Sequence, residues 1–217
     1  MATKKPSPHR LLLLLIILFI LSPLWQTRLG RLIHDIFLFI ALLVIIDIFH
    51  LRSKSLKILY RLLAFIALLL DTIIWLKLFP IHLALITFNI FIEICFLGMA
   101  ILIILRRIYF EDKVTNDTIR NGINVYLLIG IIFAIIYRAI HLEVPQSFYL
   151  PFAEQGSTFD PFYFSFLTLT TVGYGDIIPI SPWVRVLTNL EGIAGILYPT
   201  TIIARLVSLY ILHNHQK

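Results

Sequence analysis

"SFLTLTTVGYGDIIP", residues 165–179, interrupts a chain made almost wholly of apolar, helix-length runs. Gly173 and Gly175 weaken regular secondary structure, and Thr170 and Thr171 are polar, yet apolar sequence lies on both sides of them. The stretch occurs once. It follows directly from "DPFYFSFLTLT", residues 160–170, which is too short to cross a hydrocarbon core of about 30 Å but long enough for a helix that enters and stops. Asp160 suits the N-cap of that helix and Pro161 its first helical position.

The rest of the chain sets the context. Of 217 residues, 59% are hydrophobic and 14% charged. A soluble domain of this size has too little interior for so much apolar surface, so the class is a polytopic all-α membrane protein. Six spans fit, at roughly 10–25, 32–49, 58–79, 82–105, 122–140 and 182–212. The net charge of +6 reads as an orientation signal and not as a nucleic-acid footprint, because Lys and Arg gather at the span ends. Lys4, Lys5 and Arg10, then Arg52, Lys54 and Lys57, then Arg106, Arg107, Lys113 and Arg120 all fall inside if both termini are cytoplasmic. Arg28 and Arg31 are the exception. The basic start followed by an apolar run imitates a signal peptide but lacks a small-residue cleavage pattern, so it is read as a retained first span in which Pro23 lies near the outer end. Cys95 is the single cysteine and is read as a packed or lipid-facing thiol. Asn116-Asp117-Thr118 matches a glycosylation acceptor by chance, on the cytoplasmic side, and the terminal "HNHQK" is a solvated tail with no metal role.

Between the fifth and sixth spans an outer excursion, 141–181, carries Glu143, Glu154, Asp160 and Asp176, an acidity that attracts cations. The short helix in it aims its negative dipole end toward the membrane middle. The chain must then return in non-helical form, which is tolerated at that depth only where backbone is buried in protein or lines water. Glycines at 173 and 175 permit angles that turn successive carbonyls to one side. A column of carbonyls with the Thr171 hydroxyl at its base can replace the hydration shell of a potassium ion, and because one strand cannot encircle an ion, four copies must meet on an axis.

"TLTTVGYGD", residues 168–176, resembles the selectivity-filter signature of tetrameric potassium channels. "YFSFLTLTTVGYGDIIP" (163–179) with "LEGIAGILYPTTIIARLVSLY" (190–210) is similar to the pore module of small bacterial potassium channels, and the resemblance covers about 120–212. It implies a homotetramer of six-span subunits with a re-entrant pore helix between the fifth and sixth. Spans one to four match a six-span channel plan in number alone; on that plan 1–108 is a collar, 109–121 a cytoplasmic linker and 122–212 the pore domain. Within the pore domain the resemblance implies a pore helix at 160–170, a filter at 171–176 and an inner helix at 182–212, leaving a tail at 213–217. Potassium would lie at the carbonyls of Thr171, Val172, Gly173 and Tyr174, with Gly175 completing the outward turn and Asp176 at the outer mouth. Many family members place two tryptophans in the pore helix where this chain has Tyr163 and Phe164; Tyr163 can still donate a hydrogen bond to support the filter, and Phe164 cannot. The expected partners are three identical subunits and lipid, with no nucleic acid and no cofactor beyond the permeant ion, in a cell membrane.

The fourth span, where a voltage sensor carries an arginine at every third position, has none until Arg106 and Arg107. Weak or absent voltage gating is therefore expected. Asp71, Glu93 and Glu191 are intramembrane acids; Asp35 and Asp47 fall nearer span ends. Glu191 belongs close to the pore helix and is read as filter support. Gly192, Gly195 and Pro199 lie in the inner helix, where a bend at 195–199 offers a gating hinge. An enzyme is not expected. Three rivals stay open: a less selective cation channel, against which the intact "TVGYG" speaks; a potassium transporter subunit, whose kind carries four filter segments in one chain; and a non-conducting accessory protein.

Overall fold

The computed structural model describes residues 8–26, 33, 36–41, 43–45, 58, 61–62, 64–70, 72, 83–110, 114–151 and 159–215. Asp35, Asp47, Asp71, Glu154, the basic groups at 4–5, 28–31, 52–57 and 113, and much of the second and third spans lie outside the described residues. The elements are α1 (Pro8–Leu21), α2 (Leu83–Phe110), α3 (Asn116–Glu143), β1 (Phe148–Tyr149), α4 (Pro161–Leu169), β2 (Ile178–Pro179) and α5 (Pro182–His215). Among the described residues three helices are long and apolar enough to cross a membrane, Ile86–Phe110, Asn116–Glu143 and Pro182–Leu209. The described chain is thus mostly helical, as an all-α membrane protein should be.

Two compact units emerge, one of residues 1–108 with 115–125, the other of 109–114 with 126–217. In the first, Leu11, Leu15 and Leu18 of α1 are buried on one face, the spacing of neighbouring helical turns. Pro23 sits in a 3-10 helix, Ser22–Gln26, that follows α1 directly. Asn124 Nδ2 donates to the Pro8 carbonyl at 3.2 Å. In α2, Asn89 and Glu93 are buried one turn apart, and Asn89 Nδ2 reaches Glu93 Oε1 at 3.5 Å. Arg106 and Arg107 are exposed near its C-terminal end, and Cys95 is exposed. The fifth span begins earlier than apolarity suggests because Thr115 and Thr118 cap each other. The Thr118 N–H donates to Thr115 Oγ1 at 3.2 Å and the Thr115 N–H to Thr118 Oγ1 at 3.1 Å. This reciprocal pair satisfies donors that a helix start otherwise leaves open.

The second unit holds the short helix. β1 and β2 pair antiparallel, with Phe148 opposite Pro179 and Tyr149 opposite Ile178. The ladder is only two residues long, and the N–H groups of Ile180 and Ser181 extend it onto the Ser147 carbonyl. Tyr137, Phe148, Phe164, Ile177 and Val184 form the core. Phe164 meets Tyr137 edge-on at 4.9 Å and Phe148 at 5.5 Å. Each such pair adds about 0.5–1.5 kcal/mol beyond burial. Phe164 is therefore a packing residue: its site is lined by rings, where a hydrogen-bond donor would have little to gain.

Candidate functional site

Asp160 is the N-cap of α4, as its sequence context suggests. Its Oδ1 accepts from the N–H groups of Phe162 at 3.0 Å and Tyr163 at 3.1 Å, and Pro161 opens the helix. Burial pushes the Asp160 carboxyl above the usual range, against these two amides, which hold it down. The helix lasts nine residues and closes as the Thr170 N–H returns to the Phe166 carbonyl at 3.0 Å.

The next three amides keep pointing backwards. The Thr171 N–H donates to the Thr168 carbonyl at 3.0 Å, and those of Val172 and Gly173 both converge on the Leu167 carbonyl, at 2.9 and 3.3 Å. In a trans peptide N–H and C=O point in opposite directions, and no described peptide is cis. The carbonyls of Thr170, Thr171 and Val172 therefore face away from α4, side by side. Positive φ recurs at alternate residues: 60° at Thr171, 50° at Gly173 and 80° at Gly175. Residues 170–175 are exposed in the single chain. Glycine adopts such angles freely, whereas Thr171 pays about 1–2 kcal/mol for them. Two glycines marked this geometry in the sequence; nothing marked Thr171 as the third member.

Tyr163 Oη donates to Asp176 Oδ2 at 2.6 Å, joining the first turn of α4 to the residue just beyond the glycines. That bond, helped by partial burial and nearby acidic groups, pushes the Tyr163 phenol up to about 12. The next residue, Ile177, anchors in the aromatic core, and Arg185 Nε donates to the Pro179 carbonyl at 3.1 Å.

Behind the loop runs α5. A Cβ added at Gly195 would lie 1.8 Å from the Leu169 carbonyl oxygen, and one at Gly192 would lie 4.0 Å from that of Thr168. Gly195 is thus required for contact with the end of α4, whatever else it does. Pro199 lies inside α5 and lacks the N–H that would bond the Gly195 carbonyl, so one helical bond is missing where the helix passes Leu169. Tyr126 Oη also reaches the Leu169 carbonyl, at 3.4 Å, and its ring stacks with Tyr198 at 6.2 Å. Glu191 is fully buried, bonded to Tyr137 of α3 and Ser165 of α4. Sequence alone put Glu191 near α4, but it gave no sign of either partner.

Residues 125–211 match a family model described as an ion channel. A stretch of 72 residues is 38% identical to the inward rectifier potassium channel Kirbac3.1 of Paramagnetospirillum magnetotacticum, covering 33% of this chain and 22% of that protein. The chain thus spans about a fifth of the length of that relative. No solved structure matches. Together with the three long apolar helices, these likenesses support a multi-pass membrane protein whose residues 125–211 are similar to an ion-channel domain.

Proposed function

We propose that the chain is one subunit of a homotetrameric, potassium-selective channel that passes K+ passively through a filter at residues 171–175. The observation that carries this reading is the convergence of the Val172 and Gly173 N–H groups on one carbonyl, with positive φ at 171, 173 and 175. It turns neighbouring carbonyls outward as a row, and rows of carbonyls substitute for water around a dehydrated cation. The carbonyls of Thr171, Val172, Gly173 and Tyr174 and the Thr171 hydroxyl would bind the ion, and Asp176 would draw cations to the outer mouth. One chain supplies one row, so four copies must surround the axis. Tyr163 and Glu191 would support the filter from behind, and the weakened stretch from Gly195 to Pro199 would serve gating. The channel would lie in a cell membrane with both termini cytoplasmic and lipid around it, needing no cofactor.

Potassium flux into vesicles holding the purified protein, compared with sodium, tests the proposal. Equal flux of both ions would make it a less selective cation channel, and uptake against a gradient a transporter subunit. Voltage should matter little. One charge crossing the field yields about 2.3 kcal/mol per 100 mV, and steep gating needs roughly three or four per subunit. The fourth span offers only Arg106 and Arg107, at one end. Open probability in a planar bilayer should stay nearly flat between about −100 and +100 mV; a steep sigmoid would overturn this.

A further inference from the structure

Glu191 of α5, Tyr137 of α3 and Ser165 of α4 are each 0% exposed. Their oxygens make a short chain. Tyr137 Oη lies 2.7 Å from Glu191 Oε2, Glu191 Oε1 lies 2.5 Å from Ser165 Oγ, and Ser165 Oγ lies 2.8 Å from the Gly130 carbonyl oxygen. Three oxygen–oxygen contacts need three hydrogens. The tyrosine and serine hydroxyls supply one each, and the carbonyl has none. With an ionised carboxylate, the serine proton can serve Glu191 or Gly130 but not both, and the contact left over sets bare lone pairs against each other. With a carboxylic acid the count closes: Tyr137 donates to Oε2, Oε1–H donates to Ser165, and Ser165 donates to Gly130. Both side-chain partners are neutral hydroxyls, which suits a neutral acid at a depth where an unpaired charge is costly.

We propose that Glu191 works as a neutral carboxylic acid, a positioning residue that clamps α4 between α3 and α5 and so fixes the carbonyls on which the filter amides hang. Ser165 precedes Leu167 and Thr168 by two and three residues, and these two receive the N–H groups of residues 171–173. A shift of Ser165 is therefore a shift of the filter's anchor. The effect on ion selection rests on the channel reading above; the protonation state does not.

Three variants and one spectrum test this. Glu191→Gln keeps an acceptor for Tyr137 and a donor for Ser165, so the K+/Na+ permeability ratio of reconstituted tetramers should match the wild type. Glu191→Leu and Ser165→Ala should lower the ratio by roughly tenfold or more, the scale set by buried hydroxyls that lose a partner. Infrared difference spectra of wild type minus Glu191→Gln should contain the C=O stretch of a hydrogen-bonded carboxylic acid, and Ser165→Ala should move that band. Selectivity lost in Glu191→Gln as fully as in Glu191→Leu would mean that a charge is needed, and would overturn the proposal. So would an acid band that neither Glu191→Gln nor Ser165→Ala alters. The infrared measurement stands if Glu191→Leu does not assemble. Absent potassium flux in a wild type that shows the band would fell the channel reading and leave the neutral acid in place.

Discussion

α3 and α5 are both long and apolar enough to cross a bilayer, yet the chain covers them unequally. In its most apolar window α3 is 44% buried and α5 only 17%. Leu128, Ile131, Ala134 and Ile135 of α3 are almost fully hidden, whereas Ile193, Ile196, Leu197, Ile203 and Val207 of α5 face outward. The two helices therefore complete their packing by different routes. One finds much of its packing within its own chain. The other touches its own chain through a narrower face that includes Val184, Glu191, Gly192, Gly195 and Tyr198, and leaves Ile193, Ile196, Leu197, Ile203 and Val207 for lipid or for further copies.

The sharpest way to test that division is at the loop the two helices bracket. Gly173→Ala and Gly175→Ala should abolish potassium selectivity. Nothing in the chain lies within 4 Å of either added Cβ, so the cost is conformational, about 1–2 kcal/mol per residue, and would recur in each copy of the proposed tetramer. Reversal potentials under opposed K+ and Na+ gradients would report it, and unchanged values in both variants would remove the filter from 171–175. Next in size is a matched pair. Leu128→Ala in α3 empties a fully buried site and should cost about 2–5 kcal/mol in the unfolding of each subunit. Ile196→Ala in α5 should leave subunit stability nearly unchanged and weaken the tetramer in detergent. Equal effects on subunit unfolding would erase the contrast between the helices.

The smallest effect is chemical. Because the Tyr163 phenol is raised from 10.0 to about 12, its bond to Asp176 contributes fully below pH 10 and is lost as pH climbs through about 12. Phenolate absorbance in wild type minus Tyr163→Phe should therefore appear near pH 12. Appearance near 10 would mean that the bond to Asp176 does not hold.

What was legible in the sequence was local. The Asp160–Pro161 start of α4 could be read because cap and amides lie within three residues. The fourth span's helix runs to Phe110, past the expected end at 105, because apolarity stops at Arg106 while backbone bonding does not. The β1–β2 pair went unseen, since two residues carry no periodicity. The partners of Glu191 are 54 and 26 residues away, and no spacing rule connects them. The loop at 171–175 stood out through its glycines, whose conformational freedom is a property of the residue type; the matching angle at Thr171 is imposed by neighbours and leaves no such mark.

Thr171 carries that angle as a conflict between two demands on one residue. Its backbone would relax with glycine, which adopts a φ of 60° without strain, but glycine would remove the hydroxyl that the proposed filter needs at its base. A β-branched residue such as threonine bears that strain in full, where Asn or Asp would bear less of it. If the proposed filter holds, Thr171→Gly would relieve strain and remove the innermost cation ligand, so selection for a sturdier fold and selection for a better conductor would pull this position in opposite directions.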